Sequence, residues 1–463
     1  MTEEAPRNRS GASVPAPRVD RRRFLRAAGL TGAAAGLSGI LGACSLARAS
    51  APSGRPIRLG MIVPQTGALA GFGEATSVVI TGLRRTLGDG LKIGGQVHPI
   101  QLVVRDSSSD VQRSAQVTRD LIEQGDLDLL MSFSAPGPVA DIAERSGVPM
   151  LSSGVPWEPW FFGRPGQDPA HPHPFKWTYH FMWGMRDIIG VYQDIWRQVP
   201  TNKVVGTLFP QGPVGAAWAH PRFGIPGGFS GQGYRFIHRH QFHNLSNPAD
   251  FRPLVADFIA TDAQVLTGVP TPADFATFWK VARTWTAAHG RPDPYRPRLA
   301  VVAQALLFPA FIEVLRPSAS GLCSEVWWHP SYPYRSSLTG QSAEQLAGDY
   351  TKLSGRQWTQ PIGPLHALFE VALDALRRAG PDDRQAVAEA LAATDLRTIA
   401  GRLTWGNVQR VPSPAARNVA TSPAAGGQWL ATRAGSPFAF DLVLVANPDH
   451  PEIPVHHQVQ PLA

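Results

Sequence analysis

Short apolar runs alternate with amphipathic stretches along most of this chain, and that alternation limits the fold more than any other feature. The run IRLGMIV at 57–63 suits a strand buried on both faces, and the segment beyond it is helical up to Leu87. A second strand is expected at 100–104, after which Asp106 opens a polar loop into a helix over 115–123. A third strand at 127–131 turns through SAPGP into a helix at 139–145, and a fourth follows at 148–151. A second series adds helix 185–198, strand 203–209, helix 248–260, strand 263–268, helix 274–289 and strand 299–303. The segment 361–379 carries apolar residues at 365, 368, 369, 372, 373 and 376, one helical stripe. After about 400 the chain is rich in Pro and Gly, with one clear strand at 438–446. Strands separated by helices run parallel, so the expected class is α/β with two doubly wound parallel-sheet lobes.

The first 43 residues stand apart from this pattern. DRRRFLRAAGLTGAAAGLSGILGAC at 20–44 places Arg21 and Arg22 before a spacer and Phe24-Leu25, which matches a twin-arginine export signal. The Gly- and Ala-rich stretch 27–43 is 17 residues long, shorter than the ~20 a spanning helix needs. It ends in Leu41-Gly42-Ala43-Cys44, which resembles a bacterial lipobox, so Cys44 is expected to become a lipidated first residue; an ordinary cleaved signal is the alternative. The expectation is a signal peptide at 1–43, a tether at 44–56 and a body held outside the cytoplasm by the lipid on Cys44. Removing 1–43 takes away seven Arg and three acids, so the formal net charge falls from +8 to +4. No basic run with interleaved aromatics remains, which argues against a nucleic-acid partner. Cys323 is the one thiol left besides Cys44, so no internal disulfide is expected.

Ligands of doubly wound sheets sit off the carboxyl ends of the strands. The loops in question are 64–74, 132–138, 152–160, 209–218, 268–274 and 304–309. One of them reads SSGVPWEPW, two tryptophans held three residues apart in a stretch expected to be a loop.

Several stretches, in order, resemble one family: IRLGMIVPQTGALAGFGEA, VRDSSSDVQRSAQVTRDLIEQGDLDLLMSFSAPGPVADIAERSGVPML, VLTGVPTPADFATFW, QALLFP, EVWWHPSYPYRSSLTG and QWTQPIGPLHALFEVALDALRRAG. The chain from about 57 to 430 is similar to the extracytoplasmic solute-binding proteins of ABC transporters, in the branched-chain amino acid and amide group with the type I, leucine-binding-protein-like fold. The resemblance implies three crossovers, near 181, 330 and 400. The N-terminal lobe would then be 57–181 with 331–400, the C-terminal lobe 182–330 with 401–463, hinging around a small solute. It further implies a monomer that works with permease subunits and their ATPases, with no cofactor and no catalysis. A ligand-sensing receptor of the same fold is the alternative, and an enzyme that turns over its ligand a third reading.

The departures from the resemblance bear on the solute. Relatives that hold α-amino acids use a small residue's backbone and, two residues on, a Thr hydroxyl; aligned on Gly147, these places hold Gly154 and Pro156. Pro offers neither hydroxyl nor N–H. Phe133 stands where a small hydroxylated residue is usual, leaving Ser134 as the polar group. An amino-acid zwitterion therefore does not suit the usual pose. The replacements are aromatic: Phe72, Phe133, Trp157 and Trp160 from one lobe, with Trp183, Trp218 and one of Trp327 or Trp328 from the other. Neighbours on a strand face opposite ways, so that last pair cannot both line a cleft. Glu158 could receive a cation, while Gln65, Ser153 and Gln304 could hydrogen-bond an amide or carboxylate. A planar aromatic or amide-containing metabolite fits this set better than leucine.

The ordinary alternative for each tryptophan is packing, and with 13 in the chain most belong in cores. Trp196, Trp279, Trp358 and Trp429 are read that way. His238, His240 and His243, or His456 and His457, lack the acids or thiols that would complete a metal site. GFSGQG lacks the spacing of a nucleophile elbow, and QTGALAGFGEA lacks a phosphate-loop Lys.

Overall fold

The run IRLGMIV is strand β1 (Ile57–Val63), buried at six of its seven positions and flanked by strands on both sides. The computed structural model describes residues 54–134, 136–168, 170–237, 248–286, 290, 292–409, 411 and 414–462. Arg21, Arg22, Cys44 and the histidines at 238, 240 and 243 lie outside the described residues. From β1 the chain runs through α1 (Thr76–Leu87), a hairpin of β2 (Leu91–Ile93) and β3 (Gln96–His98), β4 (Ile100–Asp106), α2 (Val111–Glu123), β5 (Leu129–Phe133), α3 (Pro136–Ser146), β6 (Met150–Ser153), α4 (Trp157–Phe162) and β7 (Thr178–Phe181). It then crosses to α5 (Met185–Arg197), β8 (Val204–Leu208), α6 (Pro213–Ala219), α7 (Ile225–Gly228), β9 (Arg235–Ile237), α8 (Pro248–Ala260), β10 (Val265–Gly268), α9 (Pro272–Arg283), β11 (Leu299–Val302), α10 (Pro309–Val314) and β12 (Cys323–Val326). It returns through α11 (Ala343–Ser354), α12 (Ile362–Ala379), α13 (Arg384–Ala392), the hairpin β13 (Asp395–Thr398) and β14 (Gly401–Thr404), and β15 (Val419–Ala420). It ends with β16 (Ala425–Ala431) and β17 (Phe440–Ala446).

The first sheet has the order β15-β7-β6-β5-β1-β4, with every pairing parallel. The second has the order β17-β16-β12-β11-β10-β8-β9, parallel from β12 to β9 and antiparallel at β16 and β17. The chain changes direction across each sheet between β1 and β5 and between β8 and β10, which are the places where such sheets take ligands.

Local chemistry sets the helix ends. The Asp110 carboxylate accepts from the Arg113 N–H at 2.6 Å to start α2, and Ser342 and Gln345 form a reciprocal capping box at α11. The helix expected to run to 289 stops earlier, since α9 closes at Arg283. The single apolar stripe expected of α12 is also corrected: every residue from Ile362 to Leu373 is buried, His366 and Glu370 included. Buried polar groups need partners. Those of Glu370 come from two directions, the Ser337 hydroxyl at 2.8 Å and the Ile399 N–H at 2.9 Å.

Three passages join the sheets, at 182–184, 327–342 and 421–424. The third lies beyond the expected position near 400, because the two-residue strand β15 still pairs with β7 in the first sheet. The second passage is the most heavily tied. Trp328 is fully buried and donates its indole N–H to Ile399 O at 3.2 Å, the Trp327 N–H donates to Gln360 Oε1 at 2.7 Å, and Ser336 Oγ meets His366 Nε2 at 2.8 Å. The segment after β17 packs on the second lobe: Gln460 N–H donates to Gln428 Oε1, Val459 N–H to Gln198 Oε1, and Leu462 N–H to Arg298 O. Trp328→Ala is expected to cost about 3–5 kcal/mol, the usual loss for an aromatic removed from a core, read as a lowered midpoint in urea unfolding.

Candidate functional site

The loop after β1 is shaped by a carboxylate at the end of β4. Asp106 accepts from the Gln65 N–H at 2.7 Å, the Thr66 N–H at 3.2 Å, the Thr66 hydroxyl and the Ser108 N–H at 2.8 Å. Partial burial pushes its carboxyl up, but the Thr66 hydroxyl and these N–H groups outweigh it and hold the pKa down to about 2. The loop so fixed leaves the Gln65 side chain exposed and turns Phe72 inward, where it is 5% exposed.

Phe72 meets rings from the other lobe. It lies edge-on to Phe308 at 4.9 Å and stacked with Trp327 at 5.3 Å, and Trp327 lies edge-on to Trp183 at 5.6 Å. These four residues stand beyond the carboxyl ends of β1, β11, β12 and β7, so the cluster joins both sheets. The backbones come so close that a Cβ on Gly71 would sit 2.9 Å from the Phe308 ring. Beside them a cavity of about 560 Å³ opens between residues 65–77 and Pro272, Phe308 and Phe311 of the other lobe.

The polar residues of the first lobe have other partners. Ser134 adopts φ +59°, and its hydroxyl donates to Gly154 O at 3.1 Å; the Ser153 hydroxyl donates to Phe181 O at 2.7 Å. Gly154 has φ +88°, and a Cβ there would meet Ser134 Oγ at 2.6 Å, so the position requires glycine. Phe133 is fully buried in the first sheet's core.

SSGVPWEPW is not all loop: Trp157 begins α4, with Pro156 as N-cap and Pro159 in the first turn, where proline is tolerated. The helix separates the two tryptophans' roles. Trp160 stacks on His180 at 4.9 Å, lies edge-on to Phe175 at 5.8 Å and sits under the Arg164 guanidinium, in the apolar cluster with Val139, Ala140 and Ala143. It is therefore not brought to the ring cluster. Trp157 belongs to the same apolar cluster, but its edge reaches the first passage: a Cβ on Gly184 would fall 2.1 Å from its Nε1 and 2.5 Å from Glu158 Oε1.

Glu158, which a loop would leave solvated, has a buried carboxyl. Its Oε1 accepts from the Met185 N–H at 2.8 Å at the start of α5, while Oε2 has no partner. Burial, with the Asp187 carboxylate adding to it, pushes its pKa up to about 8.

On the second lobe, Trp218 packs on Tyr192 at 5.9 Å and is 2% exposed. The Tyr192 hydroxyl donates to Glu325 Oε2 at 3.2 Å, and Glu325 Oε1 accepts from the Gln304 N–H at 3.4 Å. Burial pushes the Glu325 carboxyl up to about 7. Gln304, at φ +59°, is held by its backbone and leaves its side chain half-buried.

Of the expected residues, then, the structure brings together Phe72 and Trp183, with Glu158 and the edge of Trp157 alongside. Phe133, Ser134, Ser153, Gly154, Trp160 and Trp218 are engaged in packing or backbone bonds. Trp327 is the member of its pair that joins the cluster. Phe308 is a residue the sequence reading missed, although its place at the end of the 304–309 loop was a usable signal. Among the described residues no helix is long and apolar enough to cross a membrane.

The profile of the family described as periplasmic binding protein matches residues 56–419. Comparison with curated protein sequences finds no match. Among solved structures, a leucine binding protein LivK from Thermotoga maritima is 17% identical with a TM-score of 0.62, the alignment covering 85% of this chain and 99% of that one. LivJ from Streptococcus pneumoniae, in complex with isoleucine, is 14% identical with a TM-score of 0.62, covering 84% and 99%. A solute binding protein of an ABC transporter from Rhodopseudomonas palustris BisB5, in complex with 3,4-dihydroxy benzoic acid, is 14% identical with a TM-score of 0.62, covering 84% and 96%. These likenesses agree with the fold, two sheets with parallel cores. The chain belongs to the periplasmic binding protein family, a solute-binding rather than catalytic group, in its type I, leucine-binding-protein branch.

Proposed function

We propose that this chain is the lipid-anchored receptor of an ABC importer, which captures a small polar, aromatic or amide-type solute between its lobes and delivers it to a membrane permease. The observation that carries this reading is the cluster of Phe72, Phe308, Trp327 and Trp183, built from loops of both sheets. A ring pair contributes about 0.5–1.5 kcal/mol beyond burial. A flat solute entering here exchanges those contacts for its own, and its differential affinity for the closed arrangement shifts the population toward closure. The dihydroxybenzoic acid held by the Rhodopseudomonas relative supports a flat aromatic solute. The leucine and isoleucine relatives support an amino acid, but Pro156 caps α4 without a hydroxyl or an N–H to offer one. The export signal with Arg21 and Arg22 and the lipid on Cys44 rest on the sequence pattern. They agree with a receptor that works beside a permease and needs no chemistry of its own.

Closure is tested by small-angle scattering of the purified protein with a panel of aromatic acids, amides and amino acids: a bound solute is expected to reduce the radius of gyration, and a panel with no effect argues against the reading. Gly71→Leu places a side chain against the Phe308 ring; it is expected to prevent compaction and weaken the same solute by about 10-fold or more, in line with a cost of about 1–3 kcal/mol for overpacking. Cys44→Ala is expected to move the protein from the membrane fraction to the soluble one, as followed by immunoblotting.

A further inference from the structure

The ring cluster contains polar groups that its own packing leaves unused. Trp183 is 2% exposed and Trp327 5% exposed, their rings are in contact, and neither indole N–H has a hydrogen-bond partner. Glu158 Oε2 is buried and unpartnered as well, while Oε1 of the same carboxyl is held by Met185, two residues beyond Trp183. A buried polar group left without a partner forfeits the hydrogen bonds it would have made to water. Two of these groups meet in the ring cluster and the third lies beside the first passage, just after Trp183, and together they mark a place suited to a partner from outside the chain.

Unpartnered indole N–H groups also occur at Trp160, Trp196 and Trp405, but within single lobes. Trp160 sits among Phe161, Phe175 and His180, Trp196 against Phe229 and Tyr234, and Trp405 beside Tyr179. Trp183 and Trp327 differ because they stand on the first and second passages between the sheets, with Phe72 stacked on Trp327 and itself met by Phe308 from the facing loop.

We propose that the solute presents a hydrogen-bond acceptor, a carboxylate or carboxamide oxygen, on a flat apolar body: the indole N–H groups of Trp183 and Trp327 and the Glu158 carboxyl receive the acceptor, and Phe72 lies against the flat face. The proposal rests on the solute-receptor reading and narrows its solute class.

The donor inventory excludes the opposite choice. An indole offers a donor and no acceptor, so an ammonium group would meet rings but also two N–H groups of its own kind. The titratable groups on the elements that meet α4 or Glu158 are Arg186, Asp187, Tyr192, Asp194 and Arg197 on α5, Tyr179 and His180 on β7 and, after α6, His220, with Arg164 just beyond α4. Asp187 accepts from the Gly184 N–H at 2.8 Å, and Arg164 is taken by Asp141 at 2.8 Å and the Thr178 hydroxyl at 2.7 Å. Burial drives His180 down to about 3, so its ring is neutral and meets Ser152 Oγ and Val155 O. Arg186 is exposed. With burial and Asp187 pushing the Glu158 pKa up to about 8, its carboxyl carries a proton at neutral pH and supplies a third donor.

Calorimetry of the purified protein at pH 7 with 4-methylbenzoate, 4-methylbenzamide and 4-methylbenzylamine provides the test. The carboxylate and the amide are expected to bind at least about 10-fold more tightly than the amine, and Trp183→Phe and Trp327→Phe, which keep a ring and remove the N–H, to weaken both by about 10-fold each. Glu158→Gln keeps a donor and should retain the carboxylate, whereas Glu158→Leu should lose it. Between pH 7 and pH 9 the carboxylate is expected to weaken by about 10-fold as Glu158 gives up its proton. The amide, whose NH₂ can face an ionised Glu158, should change by no more than about twofold. The pH arm uses the unaltered protein, so it decides even where a tryptophan variant fails to fold. Tightest binding by the amine, unchanged carboxylate affinity in both Phe variants, or a carboxylate affinity indifferent to pH would overturn the proposal. If the trio fails to bind while a solute of another class compacts the protein, this inference falls and the receptor reading stands; if no solute of any class compacts it, both fall.

Discussion

All three passages between the lobes leave from the carboxyl end of a strand, β7, β12 or β15, and this shared origin governs the rest of the molecule. Parallel strands converge their loops on one edge of the sheet. The edge that gathers the loops is also the edge from which the chain crosses. Crossings and ring cluster therefore occupy one place, and Trp183 and Trp327 belong to both.

Ties to the body of the protein differ from passage to passage. The second is fixed by Trp328 against Ile399, by Gln360 against the Trp327 backbone, and by Glu370 bridging Ser337 and Ile399. Glu158 reaches the first passage through the Met185 N–H, and Glu325 lies one residue from the end of β12, just before the second. Buried carboxyls cost free energy unless they are hydrogen-bonded or protonated. Their concentration beside the crossings, together with the raised pKa values of all three, shows polar groups placed where the backbone leaves regular pairing.

Much of the fold was legible because strands buried on both faces leave continuous apolar runs. IRLGMIV is such a run, and β1 follows it residue for residue. The third passage was not legible, since Val419-Ala420 is too short to carry a pattern and only its pairing with β7 assigns it to the first sheet. Within the candidate site, position was easier to read than orientation. A loop after a strand end located Phe72 and Gln304, but no local rule says that α4 turns Trp160 toward His180, or that Ser134 and Ser153 direct their hydroxyls to backbone carbonyls. Phe308 was hidden in an apolar run that reads as core, and it is core until the facing Phe72 makes it part of a junction.

The second lobe is assembled from two distant pieces of chain. Strands β8 to β12 come from the middle of the sequence, and β16, β17 and the segment to Leu462 from its end. The Gln428 side chain holds both the N–H and the carbonyl of Gln460, and Val459 reaches back to Gln198 at the end of α5. Contacts so far apart in sequence form late, because the loops they close are long. A chain threaded through a membrane from its N-terminus would thus have to hold α5 and β8 to β12 incomplete until its last residues arrived, exposing the edge that β16 covers. A molecule built this way completes its second lobe only once the whole chain lies on one side of the membrane, with its final strand as the last part of the sheet to be added.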